Sequence, residues 1–193
     1  MQLNNKWFLR YKLFNSSFTG LSIGILFTIY NPLDPSIYSI GGIILACCML
    51  IVAKFYEKLL NIRSFYYISL MVEICMLATV ITFLILKYSL ASALLIYILY
   101  QITFVFGGYL VRAETLVAKE KELLAKIDIN KQIGYLVGLA CSFIFYKLLE
   151  HVFEITDTNE QINLLHYLLI VLQSIIILLI MNSFKNKKDV NPV

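Results

Sequence analysis

Long apolar stretches separated by short polar ones set the pattern of this chain. They cover residues 13–30, 37–53, 65–86, 91–111, 133–149 and 164–181, and none shows the apolar/polar alternation of a half-buried strand. About 20 apolar residues in a helix cover the ~30 Å hydrocarbon layer of a bilayer. Lipid offers the backbone no hydrogen bonds, so a spanning segment is either a helix or part of a closed barrel, and the missing period of two excludes the barrel. The pattern predicts an all-α polytopic membrane protein: one domain over residues 1–193 with six transmembrane helices and no soluble globular part.

Composition excludes the alternative of a large soluble core. Hydrophobic residues make up 60% of the chain and charged residues 15%, against roughly 45–50% and about 25% in ordinary globular proteins. The first apolar run ends at Asn31-Pro32 without a small-residue cleavage pattern, so it is expected to be retained as a span. Cys47, Cys48, Cys75 and Cys141 all lie inside apolar runs and read as packing residues.

The charges orient the helices. Of the 16 Lys and Arg residues, only Lys87 and Lys147 fall on one side of the predicted membrane; the rest sit before span one, between spans two and three, between spans four and five, and after span six. Positive charge stays in the cytoplasm. The expected location is therefore the cell (inner, cytoplasmic) membrane, multi-pass, with both termini cytoplasmic. Residues 31–36 and 87–90 make short outer turns. The longer cytoplasmic stretch 112–131 carries Leu116, Leu123, Leu124 and Ile127 near a helical repeat among Lys and Glu. It fits an amphipathic helix on the membrane surface, or an extension of span four into water.

Catalytic patterns are lacking. His151 and His166 stand in no metal-protease motif, and neither a G-x-S-x-G elbow nor a Walker-type glycine loop occurs, so an enzyme is not expected and no cofactor or nucleic-acid partner is implied. Met71 with Cys75, and Cys47, Cys48 and Met49, offer sulfur to a soft metal, but the same residues serve as apolar fillers, and no metal is expected.

Glu73 is the one acidic residue deep in a span. A carboxylate there costs a few kcal/mol or more unless it meets a cavity, a proton or a partner, and apolar surroundings favour its protonated form, the state proton coupling uses. The alternative is a neutral carboxyl bonded to a neighbouring helix. Gln101, at comparable depth in span four, is the expected partner. Asn15, Ser22, Tyr97, Tyr100 and Gln101 are polar positions in spans one and four that either line an aqueous path or bond between helices. Gly20 and Gly24, Gly41 and Gly42, Gly107 and Gly108, and Gly134 and Gly138 mark close helix approach, within one subunit or between subunits.

The layout resembles one half of a major facilitator superfamily transporter, in which two six-helix halves are related by an axis along the membrane normal. The stretch 53–63, with Glu57, Lys58 and Arg63, follows the family's loop between helices two and three in part. Gly134 and Gly138 follow the G-x-x-x-G of its fifth helix, with Leu139 where a Pro would stand. The resemblance implies a secondary transporter of a small solute working by alternating access, with protons as a candidate driving ion. One half supplies one wall of the passage, so a parallel homodimer with its two-fold axis along the membrane normal is implied. By the same resemblance spans one and four line the cavity, spans two and five form the dimer seam through Gly41, Gly42, Gly134 and Gly138, and spans three and six face lipid. A function of another class, a non-transporting scaffold or regulatory subunit docking through 112–131, stays open beside it, as does a homo-oligomeric channel.

Overall fold

The structure, a computed structural model, describes residues 1–30, 33–87 and 89–185. The turn at Asn31-Pro32 and the basic residues Lys187 and Lys188 lie outside them. A two-residue strand β1 (Gln2–Leu3) precedes α1 (Asn5–Tyr30), α2 (Pro35–Lys54), the single turn α3 (Tyr56–Leu59), α4 (Ile62–Leu86), α5 (Leu90–Val105), α6 (Gly107–Ala118), α7 (Lys121–His151) and α8 (Thr158–Asn182), and strand β2 (Phe184–Lys185) follows.

Local chemistry starts these helices. Asp34 accepts from the backbone N–H of Ser36 ahead of Pro35 at the first helical position of α2, where a proline has no hydrogen bond to lose. Asn61 accepts from the N–H groups of Arg63 and Ser64 to open α4, Ser89 caps α5 and Asp157 caps α8. Residues 112–131 do not form one continuous helix. Residues up to Ala118 continue the α5 rod as α6, Lys119 turns the chain at a φ of 59°, and α7 begins at Lys121. In that stretch Leu123 and Ile127 are buried, while Leu116 is exposed.

Five rods among the described residues are long and apolar enough to cross a membrane: α2, α4, the α5–α6 rod, α7 and α8. Helix α1, 26 residues long, measures about 39 Å at 1.5 Å per residue. The outer surface is apolar. Ile43, Leu50, Ile85, Leu136 and Phe143 are each more than 60% exposed, an arrangement water does not tolerate over a large area. The chain is an all-helical, membrane-embedded protein.

The packing order decides where the interior lies. Helices α1 and α7 touch backbone to backbone: a Cβ added at Gly20 would meet the Tyr135 carbonyl, one at Gly134 the Leu13 carbonyl, and one at Gly138 the Ser17 carbonyl. Helix α8 packs on both α1 and α4, α4 packs on α5, and α2 leans on α5 with no residue of its own buried. Spans three and six, expected to face lipid, are thus central, with Glu73 of α4 and Gln173 of α8 almost fully buried. The reason is the α4–α8 contact, with α1 packed on α8 and reaching Glu73 of α4 through Tyr11 and Asn15. At one end of the bundle β1 pairs antiparallel with β2, Gln2 opposite Lys185 and Leu3 opposite Phe184, so the two ends of the described chain meet there.

Candidate functional site

Three helices converge on the Glu73 carboxylate. Tyr11 and Asn15 stand one turn apart on α1 and so share a face; the Tyr11 hydroxyl donates to Glu73 Oε1 at 2.6 Å and Asn15 Nδ2 donates to the same oxygen at 2.8 Å. From α8, Gln173 Nε2 donates to Oε2 at 2.8 Å. Three donors meet the ionised form, two on Oε1 and one on Oε2. The acid form needs an acceptor, and the Tyr11 hydroxyl oxygen can serve as one by reversing its bond to Oε1. The site can therefore hold the carboxyl group in either charge state.

A second buried carboxylate is held by the next residue of α1. Glu114 of α6, 5% exposed, accepts from Lys12 of α1 on Oε2 and from Lys131 of α7 on Oε1. Lys131 also reaches Asp128 at 3.5 Å, an exposed neighbour on α7. The Lys12 ammonium sits over the rings of Phe8 and Tyr11, 5.2 Å from each centroid. Consecutive residues of α1 thus serve the two sites, Tyr11 bonding Glu73 and Lys12 pairing with Glu114.

Beyond Glu73, away from the paired strands, a cavity of about 20 Å³ lies between apolar walls from Phe18, Ile25, Val80, Ile96 and Leu169, with Ser22, Thr79, Tyr100 and His166 also bordering it. That is room for about one water molecule. Ser22 stands two turns from Asn15 on α1 and His166 two turns from Gln173 on α8, so the polar positions continue along the same faces. The His166 ring stacks on Phe83 with centroids 3.9 Å apart, and its Nδ1 is 2.7 Å from the Ile162 carbonyl. On the far side of α5 an apolar groove of about 410 Å³ opens between α2 and α5, with Tyr97 and Gln101 on its wall among Ile40, Ile44, Ile98 and Ile102.

The residues expected to line one cavity are therefore divided among three places. Asn15 binds Glu73, Ser22 and Tyr100 border the small cavity, and Tyr97 and Gln101 border the groove. Gln101 is not the partner of Glu73: it faces the α2 side of α5, whereas the carboxylate faces α1 and α8, and Gln101 Oε1 has no hydrogen-bond partner among the described residues. Gly134 and Gly138 face α1 of the same chain, so intrachain packing, not a seam between copies, accounts for them. Gly41 seats the Tyr97 ring, and only Gly42 of the four has open space around it. Glu57 and Lys58 are exposed on α3, and Arg63 lies over Tyr67 with 6.0 Å to the ring centroid.

Tyr11, Gln173, Lys12, Glu114 and Lys131 were not singled out by their sequence positions. Gln173 carries the clearest signal, a lone amide in the middle of an apolar run, the same kind of signal that marks Glu73. Tyr11 is hidden just ahead of the first apolar run, between Arg10 and Lys12. Glu114 adjoins a buried stripe formed by Tyr109, Ala113 and Ala118, a periodicity that separates it from the exposed Arg112 beside it.

Comparison with protein-family models, with curated proteins and with solved structures found no match to this chain. The fold and the site define a polytopic helical membrane protein built around a buried, hydrogen-bonded carboxylate. Its function is argued from that site.

Proposed function

We propose that the protein is a secondary transporter of a small solute in which Glu73 takes up and releases the coupling proton. One observation carries this reading: a carboxyl group in the middle of a spanning helix has donors from two other helices, and one of them, the Tyr11 hydroxyl, can also accept from its acid form. A purely structural carboxyl needs partners for one charge state only. Intramembrane ionisable groups mark ion and substrate paths, and a small, mostly apolar cavity that Ser22, Thr79, Tyr100 and His166 border lies two helical turns beyond Glu73.

In this reading α1 adds a sixth crossing to the five rods long and apolar enough to span, and the Lys and Arg distribution puts both ends on the cytoplasmic side, in keeping with the β1–β2 pairing. An even number of crossings lets a second copy stand parallel and complete the passage about a two-fold axis along the membrane normal. The outward face of α2, apolar from Ile40 to Ile51, offers that copy a surface.

Uptake into proteoliposomes containing the purified protein tests the reading. A pH gradient should drive accumulation of a solute, and Glu73→Gln should remove the dependence on the gradient while the protein stays folded. Failure of the folded protein to move any member of a broad solute panel would sink the transporter. The unburied helix α2 favours a second reading, a non-transporting scaffold or regulatory subunit. That reading requires a foreign membrane protein to co-purify in fixed stoichiometry.

A further inference from the structure

Facing columns of residues on α1 and α4 lead from one end of the bundle to Glu73 in the same order. Residues three or four apart share a helix face, so Asn5, Phe8, Tyr11 and Asn15 make one column on α1, and Ile62, Phe65, Ser69 and Glu73 make the other on α4. At the end where β1 meets β2, Asn5 and Ile62 border a cavity of about 460 Å³, together with Leu3, Asn61, Ala118 and Leu123. Deeper in, Tyr11 and Asn15 bond the Glu73 carboxylate. Between cavity and carboxylate Phe8 meets Phe65, with ring centroids 6.0 Å apart, and neither column puts a polar group at that level.

A third ring, Phe184 of β2, closes the same level: its centroid is 6.2 Å from Phe8, 5.8 Å from Phe65 and 5.1 Å from Tyr66 of α4. All three phenylalanines are buried. They differ in their support. Phe8 and Phe65 are fixed in helices of 26 and 25 residues, whereas Phe184 stands on a two-residue strand beyond α8, opposite Leu3 of β1. A strand pair by itself is marginally stable, so Phe184 is the ring that can leave while the helices stay. Gln2 and Leu3 of β1 are also part of the cavity wall, and parting the strands opens that wall towards Glu73.

We propose that Phe184, carried on the β1–β2 clasp, is the gate between this cavity and Glu73, and that a proton from the cytoplasm reaches the carboxylate only when the clasp parts. The proposal rests on the reading of Glu73 as the proton site. The cavity is then a vestibule at the end read as cytoplasmic. Water entering through the gap carries the proton, which moves from it onto a Glu73 oxygen, and no other bond changes.

Thiol labelling of the full-length protein tests the gate. With Cys47, Cys48, Cys75 and Cys141 replaced by alanine, Ser69→Cys puts a single thiol on the Glu73 side of the rings. A membrane-impermeant trimethylammonium methanethiosulfonate applied to inside-out vesicles should label it slowly when Phe184 is present. Adding Phe184→Ala should speed labelling by about tenfold or more, because a buried group reacts in proportion to the population of the open form. In right-side-out vesicles the rate should not change. Equal rates with and without Phe184→Ala, or a rise of the same size from both sides, overturn the gate. Should Phe184→Ala fail to fold, Gln2→Cys and Lys185→Cys joined by a reducible crosslinker lock the clasp instead. Locking should slow labelling from inside-out vesicles and reduction should restore it; a locked clasp that labels at the unlocked rate overturns the gate. Infrared spectroscopy in nanodiscs separates the two readings through the acid carbonyl band that Glu73→Gln removes. A band that titrates while the labelling tests fail overturns the gate and leaves the proton site standing. A band that does not titrate overturns both.

Discussion

Gln173 grips Glu73 twice with one nitrogen: Nε2 donates to the Glu73 side chain at 2.8 Å and to its backbone carbonyl at 2.9 Å. The contact joins α8 to α4 at a fixed rotation about both helix axes. It also sets the carboxylate against α1, where Tyr11 and Asn15 complete its shell.

Replacing Gln173 with Leu keeps the volume and removes both bonds. Leaving a buried carboxyl short of a donor costs about 1–3 kcal/mol, so the heat-denaturation midpoint in detergent should fall. Tyr11→Phe, which removes one donor from an oxygen that Asn15 still serves, should fall by less. A Gln173→Leu protein as stable as the native one would show that the α4–α8 contact is held by apolar packing alone.

The Glu114 cluster makes a sharper test. Glu114→Gln leaves Lys12 without a counter-ion and Lys131 with only the exposed Asp128, and breaking a buried pair by removing one partner costs about 3–5 kcal/mol. Adding Lys12→Gln to that variant should restore part of the loss, and a double-mutant cycle on thermal stability reads the coupling. Strict additivity of the two losses would mean that the ions do not interact.

Close approach of α1 and α7 depends on hydrogen in place of a methyl group. Gly138→Ala and Gly20→Ala each drive a Cβ into the opposite backbone, and overpacking of this kind costs about 1–3 kcal/mol. Gly42→Ala, with open space around it, should be neutral or slightly stabilising because alanine favours the helix. Equal behaviour of Gly42→Ala and Gly138→Ala in unfolding measurements would refute the backbone contact.

At the exposed start of α2, hydrogen bonds from the side chain and backbone of Ser36 hold the Asp34 carboxyl below its usual range. A depressed folded value means that the cap's contribution is present above the unfolded value, near ~3.9, and is lost as pH falls through the folded one. Hydrogen exchange in the first turn of α2 should therefore be faster in Asp34→Ala than in the native protein at neutral pH. The two should converge once the native carboxyl is protonated; a difference that persists in acid would assign the effect to something other than the charge.

Some of the site was legible before any tertiary structure. Glu73 and Asn15 stand out because a charged or amide group inside an apolar run is costly wherever the helix ends up. Gln173 obeys the same rule and could have been found by it. Glu114 could not be found by that rule, because a carboxylate among Arg112, Lys119 and Lys121 looks like one more solvated charge until α1 and α7 close over it.

What the amino-acid sequence determined alone are the properties that depend on near neighbours: long apolar rods, their caps at Asp34, Asn61, Ser89 and Asp157, and the segregation of Lys and Arg. Each follows from a local free energy, of transfer, of hydrogen bonding or of charge. Which rods are central was decided by the tertiary structure. Lipid is as apolar as leucine, so hydropathy assigns no neighbour to a helix face; the choice falls to steric fit at Gly20, Gly134 and Gly138 and to a few directed hydrogen bonds at Glu73, both of which exist only once the helices have met.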